Sequence, residues 1–220
     1  MKPSTFSVHR LLPPPRRAAL RLSAAMATCV ALPALLLRPA IAQNPGRLTP
    51  SQSEGPFYPD QALKDADADL LKNGAVEYKS GQRAWVGGVV SDVHGKPVSG
   101  AVVEIWQCDH EGVYRHSSFS RNAPSTFQGF GKVRVGVDGR YRFRTIKPVP
   151  YAGRPPHIHV KVKLGARELL TTQMYLAGDP ANGRDLLLRG LLTEERSLLD
   201  MVFTQGADGL AAEFPLVVKA

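Results

Sequence analysis

The stretch Pro155-Pro156-His157-Ile158-His159-Val160-Lys161-Val162-Lys163 admits little besides an extended strand. Its two prolines stiffen the approach and disfavour helix before the histidines. Beyond them polar and apolar residues alternate, the period of a strand with one face buried. In that geometry His157 and His159 point to one face, and Ile158, Val160 and Val162 to the other. Two imidazoles two residues apart on one strand face can bind one metal ion, and Tyr151 and Arg154 stand close enough upstream to line the same place. Alone, a His-x-His tripeptide is more often a surface pair than a metal site, so the rest of the chain has to decide.

The same period recurs along the chain. Residues 84–92 and 101–107 read as strands around a turn at His94-Gly95-Lys96-Pro97. Residues 132–137 and 140–145 read as a hairpin about Asp138-Gly139, since glycine supplies the positive φ a tight turn needs. Residues 157–164 and 168–176 follow with Gly165 between them, and 214–219 form a last strand. Thr193 can cap one short helix whose first turn holds Glu194 and Glu195, with Leu198, Leu199 and Val202 behind. The acidic stretch 60–73 has room for a helical turn or two. Many short strands and one minor helix predict an all-β chain, a β-sandwich of mostly antiparallel strands.

Residues 1–42 contain six basic residues, among them Arg16-Arg17, and no Asp or Glu. An apolar run over 22–37 leads to Ala40-Ile41-Ala42, the small-residue pattern of signal-peptidase cleavage. This predicts an export signal cut before Gln43 and a periplasmic or secreted protein. The paired arginines suit twin-arginine export, though Ala19 stands where that motif prefers a bulky apolar residue, so the general route stays open. Pro33 and Arg38 break the apolar run, which is short for a membrane span.

Without the signal, the net charge falls from +9 to +3, so the high isoelectric point implies no nucleic-acid partner. Residues 43–60 then read as an extended arm ending in Gly55-Pro56-Phe57-Tyr58-Pro59, and 61–220 as one sandwich domain, alone or as an oligomer. Phe57 and Tyr58 are expected to pack, with Tyr58 also a candidate for the rim of a pocket. Cys29 leaves with the signal, so Cys108 has no intrachain disulfide partner, and iron–sulfur or Cys-zinc sites are excluded. Cys108 is expected to be a small buried residue rather than a nucleophile.

Three runs, GAVVEIWQCDHEGVYRH from Gly100, DGRYRFRTIKPVPYAGRPPHIHVKV from Asp138 and TTQMYLAGDP from Thr171, resemble the intradiol ring-cleavage dioxygenases. The resemblance extends from about Gly55 to the C-terminus and implies the same sandwich fold. Carried over by motif, it implies Tyr114, Tyr151, His157 and His159 as ligands of a non-haem Fe(III), with solvent hydroxide completing the shell. Phenolate and imidazole form a hard, anionic set that favours ferric over ferrous iron. A free tyrosine has a pKa of about 10, so such phenolates exist near neutral pH only beside a cation.

The resemblance further implies a catechol-type substrate, opened with O₂ between its two hydroxylated carbons to a muconate-type diacid. Tyr151 is the ligand that leaves to act as base. Arg154 both binds substrate and stabilises negative charge on the ring. Gln173 lines the pocket by hydrogen bonding or serves the core. Tyr175, His116, His110 and Tyr141 could ligate by chemistry alone, but no motif position supports them and each reads as structural. The chain departs from the family's better-known members in two ways. It looks like a short, single-domain branch in which no N-terminal helical dimerisation domain is expected, and it has no longer insertion between Tyr151 and His157. Two rival readings are a non-catalytic exported β-sandwich binding module, which has no need of this residue set, and a zinc hydrolase, which lacks a third His or carboxylate in register.

Overall fold

The computed structural model describes residues 46–60, 63, 65–117 and 126–220; the expected export signal lies outside them. Twelve strands run through the described residues: β1 (Lys72–Asn73), β2 (Val76–Glu77), β3 (Arg83–Ser91), β4 (Val102–Trp106), β5 (Phe130–Arg134), β6 (Arg140–Ile146), β7 (His157–Leu164), β8 (Arg167–Leu176), β9 (Asp200–Met201), β10 (Thr204–Gly206), β11 (Gly209–Glu213) and β12 (Leu216–Val217). Between β8 and β9 come a 3₁₀ turn (Pro180–Arg184), the single-turn helices α1 (Leu186–Arg189) and α2 (Thr193–Arg196), and a second 3₁₀ turn (Ser197–Leu199).

Strands β1 and β2 form a small ribbon. The rest build two five-stranded sheets. In one, β3 pairs with β6 on one edge and with β11 and β12 on the other; in the second the order is β5-β4-β7-β8-β9. Pairing is antiparallel except for β11 and β12 against β3, and β9 against β8. The sheets share one core. Val86 and Phe143 from the first join Val103, Ile105, Ile158, Val160, Val162 and Met174 from the second. Each such fully buried side chain contributes roughly 1.5–3 kcal/mol through lost apolar surface. The all-β sandwich read from the alternation is therefore the observed fold.

Several local expectations change. Residues 132–145 do not close as a hairpin. Strand β5 pairs with β4 and β6 with β3, so the turn at Asp138-Gly139 carries the chain from one sheet to the other. Gly139 has the expected positive φ of 68°. The reason is competition for partners, since β6 gains a seven-residue ladder against β3. Thr193 is the first helical residue rather than the cap. The N–H of Leu192 instead donates to the Glu195 carboxylate at 2.9 Å. Residues 67–71 form bends and a turn held by their own acids, in place of the helical turn or two expected over 60–73: Asp67 accepts from the N–H of Asp69, and Asp69 from that of Leu71. The last strand is shorter than expected, and β10 and β11 precede it without a β-branched run to announce them.

Candidate active site

Alternation on β7 sends Ile158, Val160 and Val162 into the shared core and turns His157 and His159 to the outer face of the second sheet. The register sets Trp106 of β4 and Gln173 of β8 beside His159, and Tyr175 of β8 beside His157. A second, smaller apolar cluster covers this face. It contains Trp106, Cys108, Tyr114 and Phe130, with Phe57, Tyr58 and Tyr151 packed against it.

Two loops carry the tyrosines. After β4, Asp109 Oδ1 accepts from the N–H groups of Glu111 and Val113 at 2.9 and 3.0 Å, folding the turn that presents Tyr114. Gly112 in that turn has φ 80°. A Cβ there would meet the Pro150 carbonyl oxygen at 3.1 Å and Tyr151 Cβ at 3.3 Å, so its absence lets the two loops touch. Tyr151 and Arg154 share a tight turn, closed by the Arg154 N–H on the Tyr151 carbonyl at 2.7 Å. Both central residues, Ala152 at 43° and Gly153 at 79°, have positive φ, as a type I′ turn demands.

The donor atoms converge. His157 Nε2 lies 3.3 Å from His159 Nε2, which lies 3.1 Å from the Tyr114 hydroxyl. His157 donates its Nδ1–H to the Pro155 carbonyl at 2.6 Å, which leaves the lone pair on Nε2 facing its neighbours. Trp106 stacks on His159 at 4.8 Å, and Phe57 on Tyr114 at 4.4 Å. The Tyr151 ring stands edge-on to Tyr114, with centroids 4.8 Å apart.

Burial sets the charge states. It pushes His157 down to about 4 and His159 well below the usual imidazole value, so both rings are neutral at pH 7. It also raises Tyr114 well above the ordinary phenol value, and Tyr151 less so, with Arg154 pulling Tyr151 back. Neutral imidazoles and buried phenols that need a cation to ionise fit a metal ion of high charge. Among the described residues no group of three or more His, Cys, Asp or Glu gathers, and the oxygen beside His159 Nε2 is the Tyr114 hydroxyl at 3.1 Å.

Arg154 stands beside the cluster with its guanidinium held on two sides. Nε donates to Asp185 Oδ2 at 2.5 Å, while Nη2 donates to Gln173 Oε1 at 2.8 Å and to the Tyr175 hydroxyl at 3.1 Å. Gln173 is fully buried and also donates to the Ser53 carbonyl at 3.2 Å, so its amide braces the arginine. Tyr175, set aside in the sequence as structural, therefore belongs to the arginine's surroundings. Its hydroxyl also donates to Gln52 Oε1 at 3.0 Å. His116 lies at the edge, 3.7 Å from Asp60, His110 pairs with Tyr78, and Tyr141 donates to the Phe214 carbonyl. Cys108 is buried beside the tyrosines and its thiol is pushed up to about 12, an inert state.

The chain can be compared with known proteins on this footing. A family model described as dioxygenase matches residues 53–154. Over 181 residues the chain is 36% identical to the protocatechuate 3,4-dioxygenase beta chain of Burkholderia cepacia, covering 74% of this chain and 76% of that protein. It is 37% identical over 150 residues to catechol 1,2-dioxygenase 1 of Acinetobacter lwoffii, which it spans for only 47% of its length. The dioxygenase domain of a dioxygenase carbohydrate-binding protein fusion from Streptomyces sp. SirexAA-E superposes with a TM-score of 0.61 at 30% identity, over 79% of this chain and 99% of that one. Identity carried through three quarters of the Burkholderia protein, on a fold shared with that solved domain, makes this chain a member of the intradiol ring-cleavage dioxygenases, oxidoreductases by class.

Proposed function

We propose that the protein is an exported, non-haem Fe(III)-dependent intradiol dioxygenase. It opens the ring of a catechol-type aromatic with O₂, between the two hydroxylated carbons, to give a muconate-type diacid. The observation that supports this most is the convergence on His159 Nε2, which lies 3.3 Å from His157 Nε2 and 3.1 Å from the Tyr114 hydroxyl, with Tyr151 alongside.

His157, His159, Tyr114 and Tyr151 would hold the ion. Ferric iron bound by them would supply the Lewis acidity that makes catechol hydroxyls acidic and the electronic link between the ring and O₂. Tyr114 is buried and braced by Phe57, which suits a ligand that stays in place. Tyr151 is half-buried on a tight turn, which suits a phenolate that releases and takes a catechol proton on its oxygen. Arg154 presents a fixed positive charge to the ring where negative charge develops. Phe57, Trp106 and Cys108 wall the site with apolar surface and keep bulk water from it.

The test is spectroscopic and catalytic. Purified, ferric-loaded protein should be red to brown from tyrosinate-to-iron charge transfer, the band should shift when a catechol binds without oxygen, and oxygen uptake should accompany a ring-opened diacid. A colourless protein after ferric loading would sink this reading.

A further inference from the structure

Arg154 carries five N–H donors, and three of them are already committed. Nε–H faces Asp185, and the two on Nη2 face Gln173 and Tyr175. The pair on Nη1 makes no hydrogen bond to the described residues. A guanidinium gripped in its plane at Nε and Nη2 cannot turn about its last bonds, so the direction of its open edge is set by these partners. Gln173 and Tyr175 are neutral; among the described residues the only charged partner of the arginine is Asp185, which lies 31 residues downstream and whose side chain is 1% exposed.

The two oxygens of Asp185 divide their duties. Oδ1 accepts from the N–H groups of Leu187 and Leu188, both at 3.0 Å, and so starts α1. Oδ2 holds Arg154. A carboxylate placed this deep needs a partner for its charge. Here the partner is an arginine beside the cluster of donor atoms, and the aspartate is itself locked to a helix start. The arrangement anchors the guanidinium to the fold and offsets part of its charge next to the imidazole and phenol donors.

We propose that Asp185 is a positioning residue for the ring-opening reaction: it aims Arg154 through Nε, leaving Nη1 for the bound aromatic. This rests on the functional reading above and adds a residue that touches neither substrate nor metal.

Asp185→Asn separates the two duties. Its amide oxygen can still accept from Leu187 and Leu188, while its NH₂ cannot accept from Arg154 Nε–H. The expected result is a fall in kcat of about 10- to 100-fold, with ferric content and anaerobic catechol affinity largely retained. In an Arg154→Ala background the same change should cost nothing further, because the group it acts through is gone. Equal losses in both backgrounds, or an unchanged kcat in Asp185→Asn, would overturn the proposal.

Thermal unfolding of the same four proteins needs no substrate and reads the pair directly. The two single midpoint shifts should fail to add, and additive shifts count against the proposal. Should Asp185→Asn not fold, Asp185→Glu, which keeps the charge but moves it by one methylene, carries the same cycle. A wild-type protein that consumes no oxygen with any catechol would instead overturn the functional reading, a result distinct from loss of coupling between the two residues.

Discussion

Ala152 is the one described non-glycine residue with positive φ, and it sits between the two residues whose roles most need separating, Tyr151 and Arg154. An alanine held there costs on the order of 1 kcal/mol. The turn it completes places a phenol and a guanidinium side by side ahead of the histidines. Their roles predict different failures. On the proposed function, Tyr151→Phe should keep iron through Tyr114, His157 and His159 but lose turnover, since it removes the oxygen proposed to take the catechol proton. His157→Ala or His159→Ala should lose iron itself, because a buried neutral donor disappears from the set. Arg154→Ala should keep iron and substrate binding while kcat falls by roughly 10²- to 10³-fold, the usual cost of losing a group that answers developing charge. Iron content, anaerobic titration and oxygen uptake on the four variants tell these apart, and full activity in Arg154→Ala would show its role to be misassigned. Tyr114, Tyr151, Arg154, His157 and His159 were legible in the chain because their order and spacing form a motif. Asp185 and Gln52 were not, because each reaches the site through a contact more than 30 residues away that leaves no local pattern.

The arm is the element that converts a sheet face into an enclosed site. Gln52 N–H donates to the Thr171 carbonyl at 2.8 Å, Ser53 receives Gln173, and Glu54 pairs with Lys161. Phe57 then lies flat on Tyr114, while Tyr58 donates to Glu104 at 2.8 Å and accepts from Lys163 at 3.0 Å. Lys161 and Lys163 occupy the same outward register as the histidines, so one alternation supplies both the candidate ligands and the anchors of their cover. Phe57→Ala should therefore act on the metal more than on the fold. Stability should drop by about 1–2 kcal/mol, the worth of a partly buried ring and its stack, while a chelator should strip iron several-fold faster at neutral pH. Unchanged iron release would mean that the stack does not steady Tyr114. Sequence composition marked this segment as an extended arm with packing aromatics, but not that its hydroxyl and carboxylate would find Glu104 and the two lysines, since those partners lie 46 to 107 residues away. The misread hairpin at 132–145 has the same origin: turn chemistry is local, whereas the choice between two sheets is decided by distant strands.

At the scale of the whole molecule, the two ends of the described chain close on each other. Thr49 N–H donates to the Val217 carbonyl at 3.0 Å, and Val217 N–H donates to Thr49 Oγ1 at 2.9 Å. The C-terminal run reaches that position by pairing with β3 twice, as β11 along residues 84–87 and as β12 along 90–91. Between them the backbone of Phe214-Pro215 runs closely alongside Gly88 of β3. A Cβ on Gly88 would stand 2.7 Å from the Phe214 carbonyl carbon, inside any real contact, and the obstacle is backbone. Tyr141, buried in the core, donates to that same carbonyl, so the segment cannot simply lift away. Gly88→Ala should destabilise the protein by about 2–4 kcal/mol through overpacking, seen as a lower urea midpoint with an unchanged slope. Gly95, where a Cβ would meet open space although φ is 78°, is the control, because its alanine variant pays only for backbone strain. Because the arm that roofs the histidines begins on the strand that Gly88 admits, Gly88→Ala should also loosen iron before the sheets melt. Iron loss and unfolding that coincide at one urea concentration would instead show that the arm does not open apart from the core.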